Sequence, residues 1–377
     1  MNEDKSARYH RLQRRAGLVA TGVSALVFLL LLATGWSAAL RDAASAAARG
    51  SFVLTVSAYV CLVVLITEVV QLPFAFYRGV VLERRYGLST QTTPRWSLDQ
   101  LKGAVLTLIF GVGGALLVWS LLRWSPDWWW LPAAIGFSVI LIGLAQLAPV
   151  VLLPLFYDFK PLERETLVAR LVALAERAGA HVLGVFEWRL SNRTRKANAA
   201  LTGIGRTRRI LLSDTLLAEH SDDEIEVILA HELAHHVYRD IWRGLALESV
   251  LIGLGFFLAD RALTMLAGSF GITGKTDIAA LPLLLLAGGL VSIVLMPAAN
   301  AVSRAHERRA DRYALEMTKN VPAFVSAMKR LGAQNLAEER PSRLVELLFY
   351  SHPPMAARIE AAHSWAKLRP QGPGLGS

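Results

Sequence analysis

The segment His231-Glu232-Leu233-Ala234-His235 sets two imidazoles four positions apart, with a carboxylate beside the first. On a helix, positions i and i+4 share one face, so both rings can converge on one metal ion while Glu232 stands ready to take a proton from water. The chemistry predicted is metal-assisted hydrolysis, and ligation by His and carboxylate at an open site favours zinc. The helix has a local start signal, because Ser221-Asp222-Asp223-Glu224 reads as a capping box. The competing reading, a core helix with hydrogen-bonded histidines, is the weaker one. His236 lies about 100° round the helix from its neighbour and is read as a structural or surface residue.

A catalytic zinc site takes three protein ligands and keeps a position for water, so one more ligand is required. The leading candidate is Glu307, within Ser303-Arg304-Ala305-His306-Glu307-Arg308-Arg309-Ala310-Asp311, with His306 and Glu316 as competitors. Asp311, one helical turn after Glu307, could accept a hydrogen bond from a ligand histidine, or could pair with Arg308 or Arg312. Cys61 is the single cysteine, which excludes an intramolecular disulfide and a cysteine-rich zinc cluster.

These residues must be held by elements that are mostly apolar. The 377-residue chain is 54% hydrophobic, above the range of soluble domains, and carries a formal charge of +10. Its Arg and Lys cluster beside apolar runs with no aromatic-basic pattern, which fits anchoring against an anionic membrane face and argues against nucleic acid. Runs of spanning length lie at about residues 18–40, 52–76, 101–122, 128–153, 245–266 and 279–299. The first follows Arg8, Arg11, Arg14 and Arg15 and exceeds a signal-peptide core, so a retained helix is expected, with cleavage near Ala43–Ala48 as the alternative. Trp124, Trp128, Trp129 and Trp130 mark a tight hairpin at a membrane surface. The basic N-terminus, the Arg78–Lys102 loop and the Lys160–Arg243 segment fall on one side, which is therefore cytoplasmic. Glu68, Glu248 and Asp260 fall in or near apolar runs, where an ionisable group faces a bundle interior or wet cavity. Glu68 reads equally as cavity lining or as a structural hydrogen-bonding group, and Glu248 as an interface residue. Between the fourth and fifth runs, Glu163–Ala178 has helical spacing. Val182–Leu190 and Arg209–Leu212 read as short strands of a hairpin or small sheet, with Gly203 and Gly205 in the turn region. From about Val302 the chain is mostly helical as far as Pro353-Pro354, and its Gly/Pro-rich tail from Pro370 is expected to be disordered.

Five patches resemble the type I CAAX prenyl proteases, integral-membrane zinc metalloendopeptidases of the gluzincin kind. They are Val81–Gln91 (VLERRYGLSTQ), Lys196-Ala197-Asn198-Ala199, Arg209–Leu217 (RILLSDTLL), the two metal segments above, and Ser351-His352-Pro353-Pro354. The resemblance spans about residues 60–360. It implies that Glu307 completes the site, that Asp311 orients a ligand, and that Asn198 and His352 contact substrate or steady the oxyanion. It also implies a helix-walled chamber in the membrane, with the peptide presented along an edge strand. The chain departs from the eukaryotic pattern in having six spans instead of seven, and its Ala-, Arg- and Leu-rich composition looks bacterial.

The expected fold is therefore mainly α: a polytopic helical bundle of about six spans with a metallopeptidase domain containing a small β-sheet at the cytoplasmic face. The expected divisions are 1–155 (membrane helices), 156–244 (catalytic region), 245–300 (transmembrane hairpin) and 301–377 (third-ligand segment and tail). One Zn²⁺ per chain is bound by His231, His235 and Glu307, with Glu232, His352 and Asn198 catalytic and Asp311 behind a ligand. The partners are a membrane-associated or prenylated-type peptide and the lipid bilayer, and the location is the bacterial inner membrane with the site facing the cytoplasm. The alternatives are a heat-shock-type quality-control membrane protease, a catalytically silent receptor or scaffold, and an ion-coupled transporter. The first lacks the Glu83–Gln91 type of loop and has fewer spans. Against the last, no inverted repeat is visible.

Overall fold

Backbone amides cannot go unpaired in lipid, so apolar runs of this length become helices. The structure, a computed structural model, describes residues 4–203, 207–266 and 268–368. Gly205 and the tail from Pro370 lie outside the described residues. The long helices are α1 (Lys5–Ala33), α3 (Phe52–Phe76), α5 (Thr93–Trp124), α6 (Trp130–Val151), α11 (Asp240–Leu266) and α12 (Leu281–Thr318), with the shorter α2 (Trp36–Ala47) after α1. Six helices are long and apolar enough to cross a membrane. The first apolar run is not one helix. It breaks at Gly35, whose φ of 74° suits glycine, and its last residues begin α2 instead.

Helix α3 continues through a π-helical turn, Tyr77–Leu82, into α4 (Glu83–Arg85), so the Val81–Gln91 patch opens on a deformed helix end. Helices α5 and α6 form the hairpin expected from the tryptophans. Trp124 and Trp128 stay exposed, whereas Trp129 is buried and donates its indole N–H to Asp260 of α11 at 2.8 Å. Asp260 also accepts from Lys275 at 3.1 Å and from Arg261, so its place is a structural ion cluster. Glu248 lines an apolar cleft between α11 and α12. Glu68 is half-buried and makes no hydrogen bond among the described residues.

The polar part begins with α7 (Leu153–Phe156), β1 (Phe159–Pro161) and α8 (Glu165–Arg177). It continues through β2 (Val185–Trp188), β3 (Ala199–Thr202), β4 (Arg209–Ser213), α9 (Asp214–Glu219) and α10 (Asp222–Val237). After α12 come α13 (Val321–Gln334), α14 (Arg343–Phe349) and α15 (Met355–Lys367). The sheet order is β1-β2-β4-β3. The two strands expected as a hairpin, β2 and β4, are parallel neighbours, because β3 intervenes in sequence and returns antiparallel on the far side of β4. This leaves β3 as an edge strand running beside α10. Strand β3 escapes sequence reading because Ala-Ala-Leu-Thr has little β preference, and β1 because it is three residues long and ends in proline.

The core of this part forms round α10. Leu167, Leu171 and Leu174 share one face of α8 and pack with Ile225, Leu229 and Leu233 of α10 and with Phe324 and Met328 of α13. A second core, including Tyr59, Trp119, Leu122 and Trp129, ties the membrane helices together.

Candidate active site

Helix α10 starts as its sequence dictates. Ser221 Oγ accepts from the Glu224 amide at 3.3 Å, and Glu224 Oε2 accepts from the Ser221 amide at 2.8 Å. Glu224 also accepts from Ser326 Oγ and pairs with Arg330 at 3.1 Å, which pins the capped end to α13. Four turns of rigid helix then carry His231, Glu232 and His235 into the space between α10, α11 and α12.

The ligand atoms of His231, His235 and Glu307 lie within 4.8 Å of one another. His231 Nε2 is 3.2 Å from Glu307 Oε2, and His235 Nε2 is 3.4 Å from Glu307 Oε1. His352 reaches the same carboxylate, with Nδ1 2.9 Å from Oε2. Despite these neighbours, Oε2 is buried without a well-aligned hydrogen bond. Both rings thus turn the same nitrogen towards one carboxylate at near-contact distance without the angles of hydrogen bonding, the arrangement of ligands around a shared cation. Burial disfavours charge on His231, yet Asp311 and Glu307 raise its pKa to about 9; His235 is raised likewise by Glu307 against the opposing effect of burial. The cage therefore attracts positive charge, and these residues fit a metal ion.

The remaining nitrogens are also engaged. His231 Nδ1 is 2.9 Å from Asp311, as expected for an orienting carboxylate. Asp311 pairs with neither Arg308 nor Arg312 but accepts two hydrogen bonds from buried Arg358 of α15, at 2.8 and 2.5 Å. His235 Nδ1 is 3.1 Å from Asp240, which also holds Arg309. Sequence reading missed Arg358 and Asp240. The signal for Asp240 was its place at the start of the next helix, five residues after His235, whereas nothing local marks Arg358. Of the competing ligands, His306 faces Asp240 at 3.9 Å and Glu316 lines a separate cavity on the far side of α12.

Glu232 and His235 line a cavity of about 250 Å³. Glu232 is half-buried, and desolvation raises its carboxyl above the usual range, as suits a base working near neutrality. His236 does not join the ligand cluster, but it lines the same cavity instead of turning to a separate surface. Asn198 precedes the edge strand, with its backbone bonded to Ser213 at 2.9 Å and its exposed side chain without a hydrogen bond among the described residues. The neighbouring Ala197 is bracketed by the Asn335 amide, which accepts from its N–H at 2.9 Å and donates to its carbonyl at 3.2 Å. The segment leading to His352 is anchored to α12. Asn300 donates to Leu348 O at 2.9 Å, and Arg304 donates to Glu346 O and Tyr350 O at 3.0 and 2.5 Å. The Val81–Gln91 patch docks below the edge strand, where Glu83 accepts from Lys196 at 3.1 Å and from Tyr9.

Two family models match the chain. Residues 2–158 match the one described as CAAX prenyl protease N-terminal, five membrane helices, over a stretch that here holds four long apolar helices and the shorter α2. Residues 161–366 match Peptidase family M48. The uncharacterized metalloprotease YhfN of Bacillus subtilis (strain 168) is 35% identical, covering 89% of this chain and 79% of its own length. CAAX prenyl protease 1 of Saccharomyces cerevisiae is 29% identical, covering 83% and 74%. The crystal structure of S. mikatae Ste24p shares the fold, with a TM-score of 0.85 at 24% identity over 95% of this chain and 88% of that one. The chain belongs to peptidase family M48, and it is a multi-pass integral-membrane zinc metalloendopeptidase.

Proposed function

We propose that one zinc ion is held by His231, His235 and Glu307, that Glu232 is the general base, and that the site hydrolyses membrane-associated or prenylated-type peptides at the cytoplasmic face. The observation carrying this reading is the approach of both Nε2 atoms to the Glu307 carboxylate while each Nδ1 meets its own carboxylate. Zinc, when bound, supplies Lewis-acid charge at the scissile carbonyl and eases loss of a proton from water. Glu232 accepts that proton and returns it to the leaving nitrogen. Asp311 and Asp240 hold the two imidazoles in one tautomer and orientation. His352 and Asn198 offer an imidazole and an amide to the oxygen that gains charge, a preference for the transition state over the bound peptide. The four divisions given above share the work. Residues 1–155 wall the site, 156–244 and 301–377 carry its chemistry, and 245–300 joins them through the membrane. The Lys and Arg excess on the catalytic side supports a cytoplasmic site, and similarity to the Bacillus protein supports a bacterial inner membrane.

The test is cleavage of a quenched fluorescent peptide by the full chain in detergent. Native, chelated, zinc-restored and Glu232→Gln samples are compared, with metal content measured for each. Expected is activity lost on chelation, regained with zinc, and lowered by several orders of magnitude in a metal-loaded mutant. Full activity in Glu232→Gln with zinc still bound would sink the assignment of the base.

A further inference from the structure

The cavity beside Glu232 carries more positive charge than hydrolysis requires. It lies between Gln146 of α6, the end of β3 and the junction of α10 with α11, and Arg208, His236 and Arg239 line it together with Glu232 and His235. Among the described residues Glu232 is its one acidic group. An adjoining cavity of about 480 Å³ shares Arg208, His236 and Arg239 and adds no carboxylate. Arg239 is exposed and has no acidic partner among the described residues, although Arg243 and Arg309 nearby both pair with Asp240.

The backbone at Arg239 singles it out. Its φ is 56°, in the left-handed region, at the turn that ends α10 and lets Asp240 reach His235. Glycine or asparagine is the usual choice there, and a long side chain costs about 1 kcal/mol or more. An arginine accepting that conformation stands at the mouth of a cavity that ends at the catalytic carboxylate.

We propose that this cavity is a substrate subsite for a carboxylate lying within a few residues of the scissile bond, with Arg239 and Arg208 as its specificity-determining residues. The inference rests on the peptidase reading of the same site. A guanidinium holds a carboxylate through two parallel hydrogen bonds, and desolvation beside the apolar wall of Leu201 and Trp242 strengthens them. The carboxylate has two possible sources, an acidic side chain or the free C-terminus of the peptide, and both present the same group.

Four peptides of one core sequence separate the sources: acidic side chain or its amide isostere, each with a free or an amidated C-terminus. KM and kcat are measured on the zinc-loaded full chain, and binding of the same peptides to Glu232→Gln is measured by fluorescence anisotropy. Expected is a KM about tenfold lower for a carboxylate-bearing peptide than for its amide partner. That ratio collapses to about one in Arg239→Gln and in Arg239→Gly, with Arg239→Gly favouring the left-handed turn and so guarding against misfolding, and Arg239→Lys restores part of it. The peptide pair that shows the ratio identifies the source. Equal KM and equal binding for all four peptides, or a ratio unchanged in both variants, overturns the subsite. Carboxylate-dependent binding without cleavage of any peptide by the wild type keeps the subsite and overturns the peptidase reading instead.

Discussion

Each proposed ligand histidine is governed by a carboxylate that sequence spacing identifies only in part. His231 and His235 announce themselves because a helix repeats every four residues, and Glu307 because a third ligand must follow within a helix. Asp311 follows from Glu307 by one turn. Arg358 was not legible, since its partner Asp311 is 47 residues away and no local pattern links them. Asp311→Asn and Asp240→Asn should each weaken metal binding by about 10–100-fold. Competition with a chelating dye reads this directly, and unchanged affinity would deny both residues their orienting role. Glu224 gives a second prediction, concerning stability. Burial opposes its charge, but the Ser326 and Ser221 hydrogen bonds and Arg330 hold its carboxyl below the usual range. Its contribution is therefore present above the unfolded value of about 4.3 and is lost as pH falls through the lower folded value. Thermal unfolding of Glu224→Gln should be lower than wild type at neutral pH, and the two curves should approach each other in acid.

Among the elements, those with strong periodicity were legible and those defined by pairing were not. The spans follow from apolar length, and α8 and α10 from spacing and capping. Strand β3 depends on β4 for its conformation, so its Ala-rich sequence carried no strand signal, and the parallel pairing of β2 with β4 followed from that missing strand. The break at Gly35 lay inside a continuous apolar run, which hydropathy alone cannot divide. Ser221→Ala removes one side of the capping box and should cost about 1 kcal/mol. Because the capped end is also tied to α13, the loss should appear as a lower unfolding midpoint with metal stoichiometry intact. A protein that loses its metal at room temperature would show instead that the cap positions the ligands themselves.

At the scale of the whole molecule, the membrane part and the catalytic part are not separate bodies in contact at one hinge. Helix α1 touches the segment that carries His352: His10 Nε2 is 2.9 Å from Leu336 O, and Arg14 donates to Glu338 at 2.8 Å and to Tyr350 Oη at 3.2 Å. Arg14→Ala should therefore lower kcat about fivefold, the worth of one partly buried charged hydrogen bond, while bound zinc stays at one per chain. Unchanged kcat would confine α1 to the membrane wall. Helix α12 makes the stronger connection, because its 38 residues run from the apolar span to Glu307 and Asp311 without interruption. At 1.5 Å and 100° per residue, one residue added between Asn300 and Glu307 would swing the carboxylate about 100° away from the two imidazoles. Loops such as the one between α13 and α14 can absorb changes of length, but this rod cannot. Natural variation in this chain's lineage should therefore leave the number of residues from the membrane edge to Glu307 fixed, even where the residues themselves drift, and an alignment of relatives would show gaps falling elsewhere.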